Sequence, residues 1–184
     1  MPTPFRALAE LGDKLESTTK RLLMIDTAAA FLSDLEQDEI KPAVSMILGR
    51  ALPRSDPRSL DVSWATLSEI IRRITSIDWK LFREAFGETG DIGAATKTVF
   101  ERNRLRKQMA LFEKPLTIME VGRSFERIAE TFGAGSREKK DRLIEALLSQ
   151  ASPLEAKYIV KIFIGEMRTG FHLGLMEQAV SKAF

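Results

Sequence analysis

The chain has 184 residues, 44% apolar and 29% charged, with a net charge of +2, no cysteine and one histidine. It is long enough to bury roughly two thirds of its unfolded surface, and its composition is far from that of a disordered segment. Disulfides and thiolate metal sites are excluded, a zinc site is disfavoured, and no apolar run approaches the roughly 18 residues that a membrane span needs.

Apolar residues recur at helical spacing and no sustained two-residue alternation appears, so the expected fold is all-α with about ten helices. The first are expected near 4–11, 14–33 and 38–48. At the start of the third, Glu36, Asp38 and Glu39 are read as exposed carboxylates that complement the helix dipole. A loop, "GRALPRSDPRS", separates these from helices near 64–75 and 78–86. The loop "GETGD" precedes a helix near 91–109, where Arg102, Arg104, Arg106 and Lys107 form a basic cluster, by itself more often a solvated surface than a binding patch. After "FEKPL", helices are expected near 117–132, 136–149, 153–164 and 175–183. "TIME" (Thr117 to Glu120) and "SPLE" (Ser152 to Glu155) read as capping boxes, the second with proline at the first helical position. In "KYIVKIFI", Tyr158, Ile159, Ile162 and Phe163 form the expected buried stripe, leaving Lys157 and Lys161 on one exposed side.

The chain also matches itself. Laid without gaps over residues 147–166, residues 31–50 share Leu, Ser, Glu, Lys, Val and Gly, and the pairs Glu39/Glu155 and Gly49/Gly165 stand out. A duplication predicts two similar helical halves with corresponding loops. Chance similarity between two amphipathic helices is the competing reading.

No catalytic constellation emerges. The phosphate-binding pattern GxxxxGK[ST] is absent, "GDIGAA" lacks the third glycine and preceding strand of a dinucleotide site, and His172 has no GxSxG nearby. The loops do suit anions. A helix amino terminus presents unpaired N–H groups and partial positive charge, and a preceding glycine lets a phosphate come close. "TGDIGAATK" and "GFHLGLMEQ" fit that description, although many such glycines are only caps. With Arg50 and Arg168 beside the paired glycines, the two loops suggest two contacts along one polyanion.

The stretch from Leu111 to Gly170 closely resembles the amino-terminal DNA-binding domain of ATP-dependent DNA ligases. The most specific parts are "EAKYIVKIFIGEMRTG", then "GLMEQAVSKAF" and the earlier "GDIG". Upstream, "LESTTKRLLMIDTAAAFL" and "EIKPAVSMILGRALP" look like the family's first two conserved helices, so the likeness spans essentially the whole chain. It implies an all-α domain that clamps nicked duplex DNA from the minor-groove side. By position it points to Thr19, Lys20 and Arg21 at the start of the first long helix, to Gly165 and Arg168 in the turn after "EAKYI", and to Met176. Gly49, Arg50, Gly170 and Gly174 join them from the paired loops. The sequence departs from the family where "FHLG" intervenes before Leu175, which puts the placement of Gly174 and Met176 in question.

The resemblance further implies that adenylation, with its ATP and Mg2+, belongs to nucleotidyltransferase and OB-fold domains elsewhere in a ligase. No lysine here begins the KxDG motif, and "SKAF" falls where the family passes into its catalytic part. Residues 1–184 are thus expected to act as one DNA-binding domain, monomeric, without cofactor and inactive in sealing alone. The opening "MPTPFRALAELGDK" carries no secretion signal pattern, so a cytoplasmic, nucleoid-associated location is expected. The competing classes are a helical-repeat scaffold for protein partners, which would expose an apolar patch, and RNA binding by shape.

Overall fold

The structure is a computed structural model that describes the backbone of residues 1–106 and 114–184, and side chains of all of these except 104–106. The described residues form ten helices: α1 (Phe5–Glu16), α2 (Arg21–Ser33), α3 (Gln37–Ile47), α4 (Trp64–Thr75), α5 (Trp79–Thr89), α6 (Ile92–Arg106), α7 (Ile118–Glu130), α8 (Ser136–Gln150), α9 (Pro153–Ile164) and α10 (Leu173–Ala183). Among the described residues there is no strand, only an isolated bridge between Pro4 and Thr117. The all-α expectation holds, and both expected capping boxes are present: Thr117 Oγ1 accepts from Glu120 N–H, and Ser152 Oγ from Glu155 N–H. No described helix is long and apolar enough to cross a membrane.

The first helices divide differently from the expectation of 4–11 and 14–33. Gly12 lies inside α1, where a Cβ would collide with the ring of Tyr158; it is a packing residue, not a helix stop. The break falls instead at Ser17 to Lys20. There Ser17 Oγ donates to Lys14 O at 2.8 Å and Thr18 Oγ1 accepts from Lys20 N–H at 3.2 Å. Such side-chain bonds offer the backbone an alternative to the helical ladder.

The architecture is organised around α9, which is buried from Glu155 to Phe163. It packs most extensively on α6 and also on α1, while α2 packs on α10 and α8 on α4 and α7. A helix apolar on most sides belongs inside a fold, not on its surface. The close fit to α6 is set by Gly93: a Cβ there would stand 2.6 Å from Lys161 Cγ and 2.9 Å from the Lys157 carbonyl oxygen. Phe125 of α7 meets Phe163 edge to face at 5.1 Å, and Trp64, Trp79 and Phe82 stack between α4 and α5.

Because α9 is enclosed, Lys157 and Lys161 are buried, at 8% and 2% exposure, not on the exposed side expected for them. Glu39, also read as exposed, is 1% exposed. It accepts from Thr3 N–H and Thr3 Oγ1 at 2.6 and 2.7 Å and from Glu36 N–H at 3.1 Å, tying the amino terminus to α3.

Candidate nucleic-acid interface

The paired glycines meet in space. Gly49 follows α3 and Gly165 caps α9, both in the left-handed region with φ of 77° and 79°. A Cβ on Gly49 would lie 3.7 Å from the Gly165 carbonyl group. The helices they end also start alike: Glu39 accepts from Glu36 N–H at 3.1 Å, as Glu155 accepts from Ser152 N–H at 3.0 Å. The correspondence is local. Residues 48–63 follow one copy, whereas the other reaches α10 through the shorter 165–172.

After Gly165 the chain alternates. Met167, Thr169 and Phe171 are buried, while Glu166, Arg168, Gly170 and His172 face outward. The buried set pins the loop, with Thr169 Oγ1 accepting from Phe171 N–H at 3.2 Å. Arg168 takes φ of 54° and Gly170 φ of 72°. A non-glycine residue held left-handed is uncommon, and such strain concentrates at functional positions. The Arg168 guanidinium donates to the carbonyl of Gly90 and lies 3.5 Å from Glu166.

Arg50 and Arg168 come together across a cleft of about 570 Å3, which Arg54 and His172 also line. A neighbouring cleft of about 400 Å3 is shared by Arg50, Arg54, Arg58 and Gly165. Arg58 is neutralised by Asp56 at 2.6 Å, and that guanidinium holds the Asp56 carboxyl at about 2. Among the described residues Arg50 and Arg54 make no ion pair, so their charge is available to a ligand. The third segment lies alongside: a Cβ on Gly170 would be 3.8 Å from Met24 Cε, in the first turn of α2. Exposed Thr19, Lys20 and Arg21 stand at that helix start, with Thr19 and Lys20 in the turn and not inside a helix.

Two candidates are differently placed. Met176 is 1% exposed, and its N–H donates to His172 O at 3.0 Å; it anchors α10 in the core and presents nothing to a ligand. Gly174 sits in the first turn of α10, which begins at Leu173, two residues earlier than expected. "FHLG" is therefore no insertion of free loop: Phe171 is a buried plug, His172 the cap residue, and Leu173 and Gly174 are helix. In the basic cluster Arg102 is exposed, and one turn before it Lys97 pairs with Glu101 at 3.7 Å. The side chains of Arg104 and Arg106, and all of Lys107, lie outside the described residues.

Under this surface lies a polar cluster that the sequence reading missed. Lys157 Nζ binds Asp13 at 3.0 Å and Glu16 at 2.9 Å, Tyr158 donates to both carboxylates, and Lys161 Nζ binds Asp91 at 2.8 Å. Its signal was two lysines four apart in an otherwise apolar helix. Burial pushes the Asp13 and Asp91 carboxyls up. Tyr158 and Lys157 at Asp13, and Lys161 with two backbone N–H groups at Asp91, outweigh it and hold both below their ordinary 3.8. Burial likewise depresses Lys157, but the bonds to Glu16 and Asp13 leave it above its ordinary 10.5. A lowered carboxyl stabilises the fold above its unfolded value and loses that contribution as pH falls through the folded one; a raised lysine does the reverse at high pH. We expect Tm to be flat between about pH 5 and 9 and to fall below about pH 4. Asp91→Asn should flatten the acid limb in a thermal-melt series, and an unchanged acid limb would show that the Asp91 contacts do not persist in solution.

No group of three or more His, Asp or Glu among the described residues is placed to hold a metal.

The family profile described as "DNA ligase N terminus" matches residues 4–181. The chain belongs to that family. This DNA ligase N-terminal chain is 33% identical over 180 residues to "DNA ligase 1" of Korarchaeum cryptofilum, covering 97% of itself and 31% of that protein. It is 34% identical to a DNA ligase of Methanocella arvoryzae and 31% to one of Thermococcus onnurineus, in each case over 98% of the chain and 32% of the relative. It thus spans about a third of the length of the curated relatives it matches.

Proposed function

We propose that residues 1–184 act as the DNA-binding domain of a DNA ligase, holding nicked duplex DNA by its sugar-phosphate backbone without reading sequence. The observation that carries this is the convergence of Arg50, Arg54 and Arg168 at two abutting left-handed glycines, with Lys20 and Arg21 at the adjoining helix start. Cationic side chains and backbone N–H groups at helix starts are the groups that position a protein on phosphates. An enzyme that must close any nick gains nothing from base-specific contacts, and a minor-groove approach offers little sequence information. Gly165, Gly170 and Gly174 contribute by letting a strand approach the backbone, whereas Gly49 is buried against Met167 and acts by shaping the turn that presents Arg50. Met176 acts only by holding α10 in place.

In this reading nucleotide activation, with ATP and Mg2+, is carried out by nucleotidyltransferase and OB-fold domains that act with this one. The domain works as a monomer, at the nucleoid in the cytoplasm. The test is a titration with nicked duplex, intact duplex and duplex RNA at two salt concentrations. Micromolar or tighter DNA binding that weakens steeply with salt is expected. Arg168→Ala should weaken binding about equally for all DNA sequences and lower the log–log salt slope by about one. Absence of salt-sensitive DNA binding, or a loss confined to certain sequences, would overturn the reading.

A further inference from the structure

Phosphate contact by Arg168 does not account for the buried ion pair beneath it. Lys161 is 2% exposed, with Nζ 2.8 Å from Asp91 Oδ2 and 3.7 Å from Glu16 Oε1. The other Asp91 oxygen accepts the N–H groups of Gly93 at 2.7 Å and Ala94 at 3.1 Å, closing the start of α6. The residue just before Asp91 is Gly90, whose carbonyl receives the Arg168 guanidinium. The contacts therefore run in series: Glu16 on α1, Lys161 on α9, Asp91 at the start of α6, then Gly90 and Arg168. Asp91, Lys161, Glu166 and Arg168 line one small crevice, so the members of the series are in close contact.

A buried ion pair is a poor stabiliser, since an apolar pair of similar volume often serves as well or better. What it supplies is direction. Lys161 is the side chain that ties the segment at Gly90 and Asp91 to α9, beside the close pass at Gly93.

We propose that Lys161 and Asp91 are a positioning pair for Arg168: they hold the Gly90 carbonyl where it orients the guanidinium toward a DNA phosphate before the DNA arrives. This rests on the phosphate-contact reading above. Pre-orientation removes part of the entropy cost of ordering a long side chain on binding. Neither member of the pair touches DNA.

A double-mutant cycle on the DNA ligase N-terminal chain tests it, with duplex binding followed by fluorescence anisotropy and folding checked by thermal melting. The neutral pair Asp91→Asn with Lys161→Met avoids leaving one buried charge alone. Arg168→Ala is expected to weaken binding about tenfold and the neutral pair about fivefold, with the salt slope reduced in both. Added to Arg168→Ala, the neutral pair should cost less than about a further twofold, because the residue it positions is already gone. Equal losses in both backgrounds, or no loss from the neutral pair while Arg168→Ala weakens binding, overturn the positioning role. An Arg168→Ala variant that binds as wild type overturns the phosphate-contact reading itself. If the neutral pair fails to fold, Asp91→Asn alone carries the same cycle: its amide oxygen still accepts from Gly93 and Ala94, and Glu16 Oε1, 3.7 Å from Lys161 Nζ, stays beside the lysine charge.

Discussion

Gly93→Val is expected to lower stability by about 3 kcal/mol and Tm by about 10 °C, the largest effect of any single substitution considered. The position is helical, and its backbone would accept any residue. The obstacle is α9: a Cβ would fall 2.6 Å from Lys161 Cγ, 2.7 Å from Lys161 Cδ and 2.9 Å from the Lys157 carbonyl oxygen. The lysine stem cannot swing aside without breaking the bond to Asp91, and the carbonyl belongs to a buried helix. Strain therefore spreads through the most extensive helix contact in the fold, that of α6 with α9. A branched side chain adds atoms on both sides of the clash. Gly87→Ala on α5 is the matched control, because no atom lies within 4 Å of the added methyl. It should leave Tm unchanged or raise it through better helix propensity, by up to about 1 kcal/mol. Thermal melts followed by circular dichroism decide the matter. A loss under about 1 kcal/mol for Gly93→Val would mean that α6 and α9 separate freely, contrary to the packing described.

Reversing charge at Arg50 and Arg168 together should reduce affinity for duplex DNA at least about 100-fold at physiological salt, because the proposed function gives each a phosphate contact that glutamate would turn into a repulsion. Both side chains are exposed, and Arg168 already occupies the left-handed region, which glutamate tolerates no worse than arginine. The fold should survive, with Tm within about 2 °C of the parent. Total charge must be separated from position. Lys139→Glu with Arg142→Glu changes it equally, on exposed positions of α8, whose main helix neighbours are α4 and α7. That control should lose less than about fivefold. Binding retained within about threefold by the Arg50/Arg168 variant would show that the two clefts do not hold the strand.

Much of the fold was legible because helix ends are local chemistry. Thr117 with Glu120 and Ser152 with Glu155 satisfy orphan N–H groups within one turn, and no distant partner is needed to predict them. The break at Ser17 to Lys20 was legible in principle too, from three consecutive hydroxyl residues, but the expected break was placed between residues 11 and 14, around Gly12. A glycine in a helix looks the same in sequence whether it ends the helix or admits a neighbour. Only the Tyr158 ring tells which.

The candidate site was legible in its parts. The pair Gly49 and Gly165 follows from internal alignment, with Arg50 and Arg168 beside those glycines, while Thr19, Lys20 and Arg21, and Arg168 again, came from resemblance to the ligase family. Arg54 went unremarked, lying in a loop where nothing marks one arginine above another. Met176 was taken for a contact because its position in the chain matched, and position says nothing of burial.

By itself, then, the sequence determined an all-helical chain, the approximate limits of most helices, the pairing of two glycine-ended segments and membership in the ligase family. All of these depend on patterns within a few turns or on order along the chain. Only the tertiary structure decided that α9 lies inside, that Lys157 and Lys161 are buried ions, and that Arg50 and Arg168 line one cleft. Those facts depend on contacts between residues far apart in the chain, and a lysine's exposure is set by whether such a contact brings it a carboxylate.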